Sequence, residues 1–185
     1  ILELEDSVPA EKKEEARILV RNALRNNDLM GSERMVRINQ VPAGLDDLRE
    51  LDGVAVDMVL IPKCESASQV FEVDRKIAGW AGKGNGIPWL MPIIESAAGV
   101  FNAYAIATAS PRVAALAIGL EDYTADIGAR RTSEGTESFF ARSMVINAAR
   151  AAGIQPLDSV FPDFGNPGEL TRTATIARQM GFEGM

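Results

Sequence analysis

The chain has 185 residues, 46% of them apolar and 24% charged, with 26 acidic and 19 basic side chains and a formal net charge of -7. This composition excludes disorder, and the acidic balance without any Lys/Arg stripe excludes nucleic acid as a partner. No apolar run reaches the ~18 residues of a membrane span; one cysteine, Cys64, excludes an internal disulfide and suits the cytoplasm; and zero histidines exclude Ser-His-Asp catalysis, Cys-His catalysis and His-ligated zinc within this chain.

Short apolar runs alternate with helical-period segments, predicting βα units around a parallel sheet. A strand is expected over residues 1–5. After Pro9, tolerated in a first helical turn, Ala16, Leu19, Val20, Ala23 and Leu24 form an i, i+3, i+4 stripe. Strands follow over 35–39 and 58–62. The glycine-rich stretch 79–86 fails the phosphate-loop pattern, because Gly84 follows Lys83 where Ser or Thr is needed and the stretch precedes a strand. It is expected to be a plain connection. A strand over 89–95 leads into a helix over 96–108, and a strand over 113–120 follows.

A second stripe, Phe140, Met144, Val145, Ala148 and Ala152, is closed by Gly153 as its C′ residue. The last full strand is expected over 157–161. Asn166-Pro167-Gly168-Glu169 then reads as an N-cap with Pro at N1 and an acid at N3. A seventh strand begins near Phe182. Six or seven such units fit an open doubly wound sheet or an eight-fold (β/α)₈ barrel lacking at least one unit. The expectation is one barrel domain over 1–185, cut at both ends.

Nearly every expected strand ends in a charged or amide residue: Glu5-Asp6, Arg37 with Asn39, Lys63 with Glu65, Glu95, and Glu121-Asp122. Any one of these is adequately explained as a solvated loop residue. Five converging on the carboxyl rim of a parallel sheet mark a site. Glu95 and Asp122, on adjacent strands, can share one hard cation such as Mg²⁺, which takes one or two carboxylates and completes its shell with water and substrate oxygens. Glu121 competes with Asp122 for that role, since strand alternation turns only one of them inward. Arg37 can clamp a substrate carboxylate or stabilise a developing oxyanion; an ion pair with Glu5 or Asp6 is an equal alternative. Cys64, without a histidine, reads as inert.

Together these pieces resemble the citrate lyase beta-subunit-like family of the aldolase/citrate lyase superfamily, which includes malyl-CoA and citramalyl-CoA lyases. The resemblance rests on Leu4-Glu5-Asp6-Ser7-Val8, Val36-Arg37-Ile38-Asn39, Ile61-Pro62-Lys63-Cys64-Glu65-Ser66, Pro92-Ile93-Ile94-Glu95-Ser96 and Gly119-Leu120-Glu121-Asp122-Tyr123. It extends through Ala141-Arg142-Ser143, 148–153 and 177–182, in family order along the whole chain. It implies a (β/α)₈ barrel that cleaves or forms a carbon–carbon bond through a metal-stabilised enolate. Glu95 and Asp122 fall on the Mg²⁺ ligands and Arg37 on the enolate-stabilising arginine. Glu5 and Asp6 fall in the acidic motif of the same site, with Lys63 on its rim. Arg130 and Arg131 fall in a loop where a CoA phosphate is met.

The substrate implied is a small β-hydroxy acid or its CoA thioester, and the implied assembly is a homotrimer or hexamer. The family pattern also includes a preceding βα unit and a C-terminal segment that closes a neighbouring subunit's site and, in malyl-CoA lyase-like members, supplies an acidic catalytic residue. Neither lies within 1–185. A thioester hydrolase on the same scaffold and a non-catalytic acyl-CoA-binding subunit are the competing readings.

Overall fold

The computed structural model describes residues 1–27, 29–81, 86–163 and 165–185. Six parallel strands form one sheet: β1 (Leu2–Glu3), β2 (Met35–Arg37), β3 (Met58–Ile61), β4 (Trp89–Ile94), β5 (Ala115–Ile118) and β6 (Gln155–Leu157). Their spatial order follows the chain, β1-β2-β3-β4-β5-β6. A doubly wound sheet would reverse its order somewhere. Consecutive parallel strands, each joined by a right-handed crossover, place every helix on one face and curl the sheet around the other, as in a (β/α)₈ barrel.

Among the described residues seven α-helices occupy the outer face: α1 (Lys13–Asn26), α2 (Gly44–Glu50), α3 (Ala67–Ile77), α4 (Ala97–Ala107), α5 (Leu120–Asp126), α6 (Phe139–Ala152) and α7 (Pro167–Met180). Strand alternation divides the apolar side chains between two cores. Val36, Val59, Ile61, Leu90, Ile94, Leu116 and Ile118 pack outward against the helices with Val70, Val100 and Val145. Leu60, Met91, Ile93 and Ala115 pack inward with Met35, Met58, Ala117 and Leu157. The inward face lines a cavity of about 720 Å³ that includes Arg37 and Glu95. Among the described residues no helix is long and apolar enough to cross a membrane.

Local signals set the helix ends. Ser96 Oγ accepts the Gly99 N–H at 3.1 Å to start α4, and Asn166 Oδ1 accepts the Glu169 N–H at 3.1 Å to start α7. Gly153, at φ 73°, ends α6 in the left-handed conformation that glycine adopts without strain. Val20 and Leu24 are buried from the α1 stripe, and Val145 and Ala148 from the α6 stripe, while Leu19 and Phe140 are exposed.

Several strands differ from expectation. β1 is shorter than 1–5, because at Glu5 the chain turns back, with the Val8 N–H donating to the Glu5 carbonyl. β5 ends at Ile118, and Gly119 leads directly into α5. The strand expected over 157–161 lies instead at Gln155–Leu157. Pro156 is tolerated because the Gln155 N–H donates to the carbonyl of Ala114, the residue before β5, which turns the proline nitrogen to the other side of the strand. The seventh strand reduces to one bridge between Leu157 and Gly184. Of the glycine-rich connection at 79–86, residues 82–85 lie outside the described residues.

Asn39, one of the polar strand-end residues, is structural. Its N–H donates to Asp47 Oδ2 at 2.6 Å and its amide nitrogen to the same oxygen at 2.9 Å. Arg17 Nε donates to Asp47 Oδ1 at 2.6 Å. Asp47 is fully buried and thus ties α1, α2 and the end of β2 together. Asp47→Ala leaves a partly buried cation and a buried amide unpaired and is expected to cost about 3 kcal/mol of stability. Urea unfolding measures this as a lower midpoint at unchanged slope.

Candidate functional site

The carboxyl ends of β1 to β5 bring Glu5, Asp6, Arg37, Lys63, Glu95 and Asp122 into one cluster. Glu95 follows β4 directly and is buried. Its Oε2 accepts the Lys63 backbone N–H at 2.8 Å. That donor is aimed by an unusual backbone: Lys63 sits at φ 47°, the left-handed region a lysine rarely enters. Glu95 also packs over Gly119, where an added Cβ would stand 2.4 Å from Oε1.

Lys63 is the hub of the cluster. Its Nζ donates to Glu5 Oε1 at 2.5 Å and to Asp6 Oδ1 at 3.0 Å, and stands 3.6 Å from Asp122 Oδ2. Although partial burial disfavours its charge, the hydrogen bonds and charges of Glu5 and Asp6 push its pKa above the ordinary lysine value. It therefore stays an ammonium.

Arg37 faces the interior from the last position of β2. Its Nε donates to Glu3 Oε2 at 2.5 Å, and its Nη1 lies 3.4 Å from Glu5 Oε2 and 3.8 Å from Asp6 Oδ2. Both expected roles thus compete for the same guanidinium. Its main partner, Glu3, is one the strand-end pattern missed, because Glu3 lies inside a strand. What joins them is the strand register, which pairs Glu3 with Arg37 across β1 and β2 and leaves no mark along the chain. Nη2 donates no hydrogen bond among the described residues.

The carboxylates respond to their crowding. Burial raises the Glu95 pKa to about 7, reinforced by the negative charges of Asp122 and Glu5 and opposed by the Lys63 N–H and by Arg37. Glu5 is raised, first by burial and then by Asp6, although Lys63 pulls the other way. For Asp6, burial is outweighed by hydrogen bonds from Glu5 and Lys63 and by the Lys63 and Arg37 charges, so it lies below the usual range.

Asp122, not Glu121, turns toward this cluster. Glu121 pairs instead with Arg131, whose guanidinium also donates to the Val160 carbonyl. Asp122 lies in the first turn of α5 rather than at a strand end. Arg130 is exposed and makes no ion pair among the described residues, and neither it nor Arg131 joins the cluster. Cys64 is fully buried, and burial pushes its thiol up to about 12, which removes it as a nucleophile.

Among the described residues no three His, Cys, Asp or Glu side chains form a metal-binding group. Glu95 and Asp122 nonetheless suit Mg²⁺, which needs one or two carboxylates and keeps several waters. Their mutual repulsion, seen in the raised Glu95 pKa, is what a divalent cation would relieve.

A model of the HpcH/HpaI aldolase/citrate lyase family matches residues 1–185. The citrate lyase subunit beta of Haemophilus influenzae is 37% identical over 189 residues, covering 100% of this chain and 65% of that protein. The mitochondrial citramalyl-CoA lyase of Homo sapiens is 32% identical over 198 residues, covering 100% of this chain and 58% of that protein. The chain thus spans less than two thirds of the length of these relatives. A citrate lyase beta subunit from M. tuberculosis, solved with oxaloacetate and magnesium, superimposes with a TM-score of 0.79 at 32% identity, over 98% of this chain and 77% of that one. Sequence along the full 185 residues and the consecutive parallel fold agree: the chain belongs to the HpcH/HpaI aldolase/citrate lyase family.

Proposed function

We propose that this chain carries the catalytic face of a Mg²⁺-dependent carbon–carbon lyase acting on a small β-hydroxy acid or its CoA thioester. The observation that carries the reading is the convergence of Glu95 and Asp122, from successive βα units, beside the interior-facing Arg37. The solved relative holding oxaloacetate and magnesium supports it. Glu95 and Asp122 would hold the cation, which when bound supplies Lewis-acid polarisation of a substrate oxygen.

The remaining roles belong to the chain's own groups. Arg37, held at Nε by Glu3, lines the cavity, where it orients a substrate carboxylate and favours negative charge developing on a carbonyl oxygen. Lys63 stays charged and acts as a fixed positive group rather than a proton carrier. The Glu5–Asp6 pair, beside it, is the proton acceptor we assign for the β-hydroxyl; the raised pKa of Glu5 brings it nearer to the working range of a general base. Exposed Arg130 is the group we assign to a CoA phosphate, with Arg131 restrained by Glu121 beside it. We also propose one barrel domain, a cytoplasmic setting that the lone buried thiol suits, and self-association into a trimer or hexamer.

Mn²⁺ electron paramagnetic resonance, with and without oxaloacetate, tests the metal site. The parent is expected to bind Mn²⁺, and Glu95→Ala and Asp122→Ala to lose it; equal binding in all three sinks the reading. Product analysis separates a lyase from a thioester hydrolase, because only the lyase breaks the carbon skeleton.

The Glu95 titration predicts a pH effect on the metal-free chain. Its folded pKa is raised, so the folded state binds a proton more tightly than the unfolded state does. The associated stability is present below the ordinary glutamate range and is lost as pH rises through about 7. Glu95→Gln is expected to remove this slope and to gain up to about 3 kcal/mol at pH 8. Thermal unfolding between pH 5 and 8 without metal checks it.

Self-association predicts a solution mass that is a multiple of 19.9 kDa. The exposed aromatic side chains Phe101, Tyr104 and Phe140 on α4 and α6 agree with a covered face. Sedimentation equilibrium returning a single-chain mass would contradict it.

A further inference from the structure

Beside the cluster lies a buried polar relay that the proposed chemistry does not use. Arg142 of α6 and Asp158, the residue after β6, form a buried two-point ion pair, with Nε donating to Oδ1 at 3.1 Å and Nη2 to Oδ2. The Arg142 guanidinium lies over the Phe182 ring, 5.5 Å from its centre. The Asp158 N–H donates to the Gly184 carbonyl at 2.8 Å, fixing its backbone as well. Asp158 Oδ1 in turn accepts the Ser159 N–H at 2.9 Å. Ser159, itself buried, offers its hydroxyl oxygen to the Leu120 N–H at 3.2 Å.

Leu120 opens α5, and the preceding Gly119 has no side chain with which to cap it. This orphan amide of the first turn is therefore satisfied from the segment that follows β6. At the far end of the same seven-residue helix, Asp126 Oδ2 accepts the Ala97 N–H at 2.8 Å. α5 is thus pinned at both ends, to the segment after β6 and to the start of α4. It carries Asp122, whose side chain makes only the 3.6 Å ion pair with Lys63 among the described residues. Glu95 has its own restraints, the Lys63 N–H and the close approach to Gly119. Asp122 has none of comparable strength, so its position follows from the placement of α5.

We propose that Ser159, anchored by the Asp158–Arg142 pair, is a positioning residue that sets where Asp122 stands relative to Glu95. The inference rests on the metal reading given above. A small divalent ion demands near-ideal octahedral geometry, so a carboxylate held slightly out of place weakens binding even when every ligand is present.

The test measures Mn²⁺ affinity by electron paramagnetic resonance for the parent, Ser159→Ala, Ser159→Thr and Asn166→Ala, each with its unfolding temperature. Ser159→Ala removes the acceptor and is expected to weaken Mn²⁺ by about tenfold. Ser159→Thr keeps a hydroxyl and is expected to restore the parent affinity. Asn166→Ala removes the cap of α7 without removing any hydrogen bond of the Arg142–Asp158–Ser159–Leu120 relay, and is expected to lower the unfolding temperature while leaving affinity unchanged.

Ser159→Ala binding as tightly as the parent overturns the proposal and leaves the metal site standing. So does an equal loss in Asn166→Ala, which would mark a general effect of destabilisation. A parent that binds no Mn²⁺ overturns both readings together. Hydrogen exchange on the parent gives a check that needs no variant: the Leu120 amide is expected to exchange slowly, and unprotected exchange there overturns the proposal.

Discussion

Gathering four carboxylates at one end of a sheet is electrostatically unfavourable, and the ammonium of Lys63 is what makes the arrangement tenable. It touches Glu5 and Asp6 and stands within reach of Asp122, while its backbone N–H serves Glu95. Arg37 contributes a second positive charge from the neighbouring strand. Two cations nevertheless do not cancel the crowding. The residual repulsion, added to the cost of burial, falls on Glu95, which is buried and makes no ion pair among the described residues. The cluster is therefore balanced enough to fold and still short of positive charge at one defined place.

The fold determines that this place is shared. Because the strands are consecutive in space, each of the first five βα units delivers at least one group to the same rim, and neighbours in sequence become neighbours in the site. The inward face below the rim is mainly apolar, with methionines from β2, β3 and β4. A substrate's polar end thus meets the charged rim while the low dielectric beneath strengthens those contacts. The outer core, filled by branched aliphatic side chains between strands and helices, supplies the rigidity such placement needs.

Much of this was legible in the sequence. Alternating apolar runs and helical stripes indicate parallel βα units, and the charged residues after each run identify the rim. The helix signals at Gly153 and Asn166 act where they are written, and the helix expected from residue 96 begins there with Ser96 as its cap. α3 was equally readable, since Val70, Val73 and Ile77 form a buried stripe. β6 was not, because Pro156 argues against a strand unless the direction of its nitrogen is known. Nor were Glu3 and Ser159. Glu3 matters through cross-strand register, and Ser159 through a hydrogen bond to an amide 39 residues away, and neither relation has a signature along the chain. Asn39 shows the converse: a polar strand-end residue that local pattern assigns to a site is occupied entirely by Asp47.

The approach of Glu95 to Gly119 has a further consequence. The volume filled by the Glu95 carboxylate is the volume a side chain at position 119 would take, since an added Cβ would fall 2.4 Å from Oε1 and 2.7 Å from Cγ. The φ of Gly119, -105°, is one that any residue adopts, so backbone conformation does not require glycine here. The requirement comes wholly from the neighbouring strand. Two positions 24 apart in sequence therefore behave as one steric unit, in which the smallest residue is obligatory for as long as its neighbour is a long acid. A barrel of this kind that exchanged Glu95 for something shorter would release position 119 to vary, and the two changes would be found together.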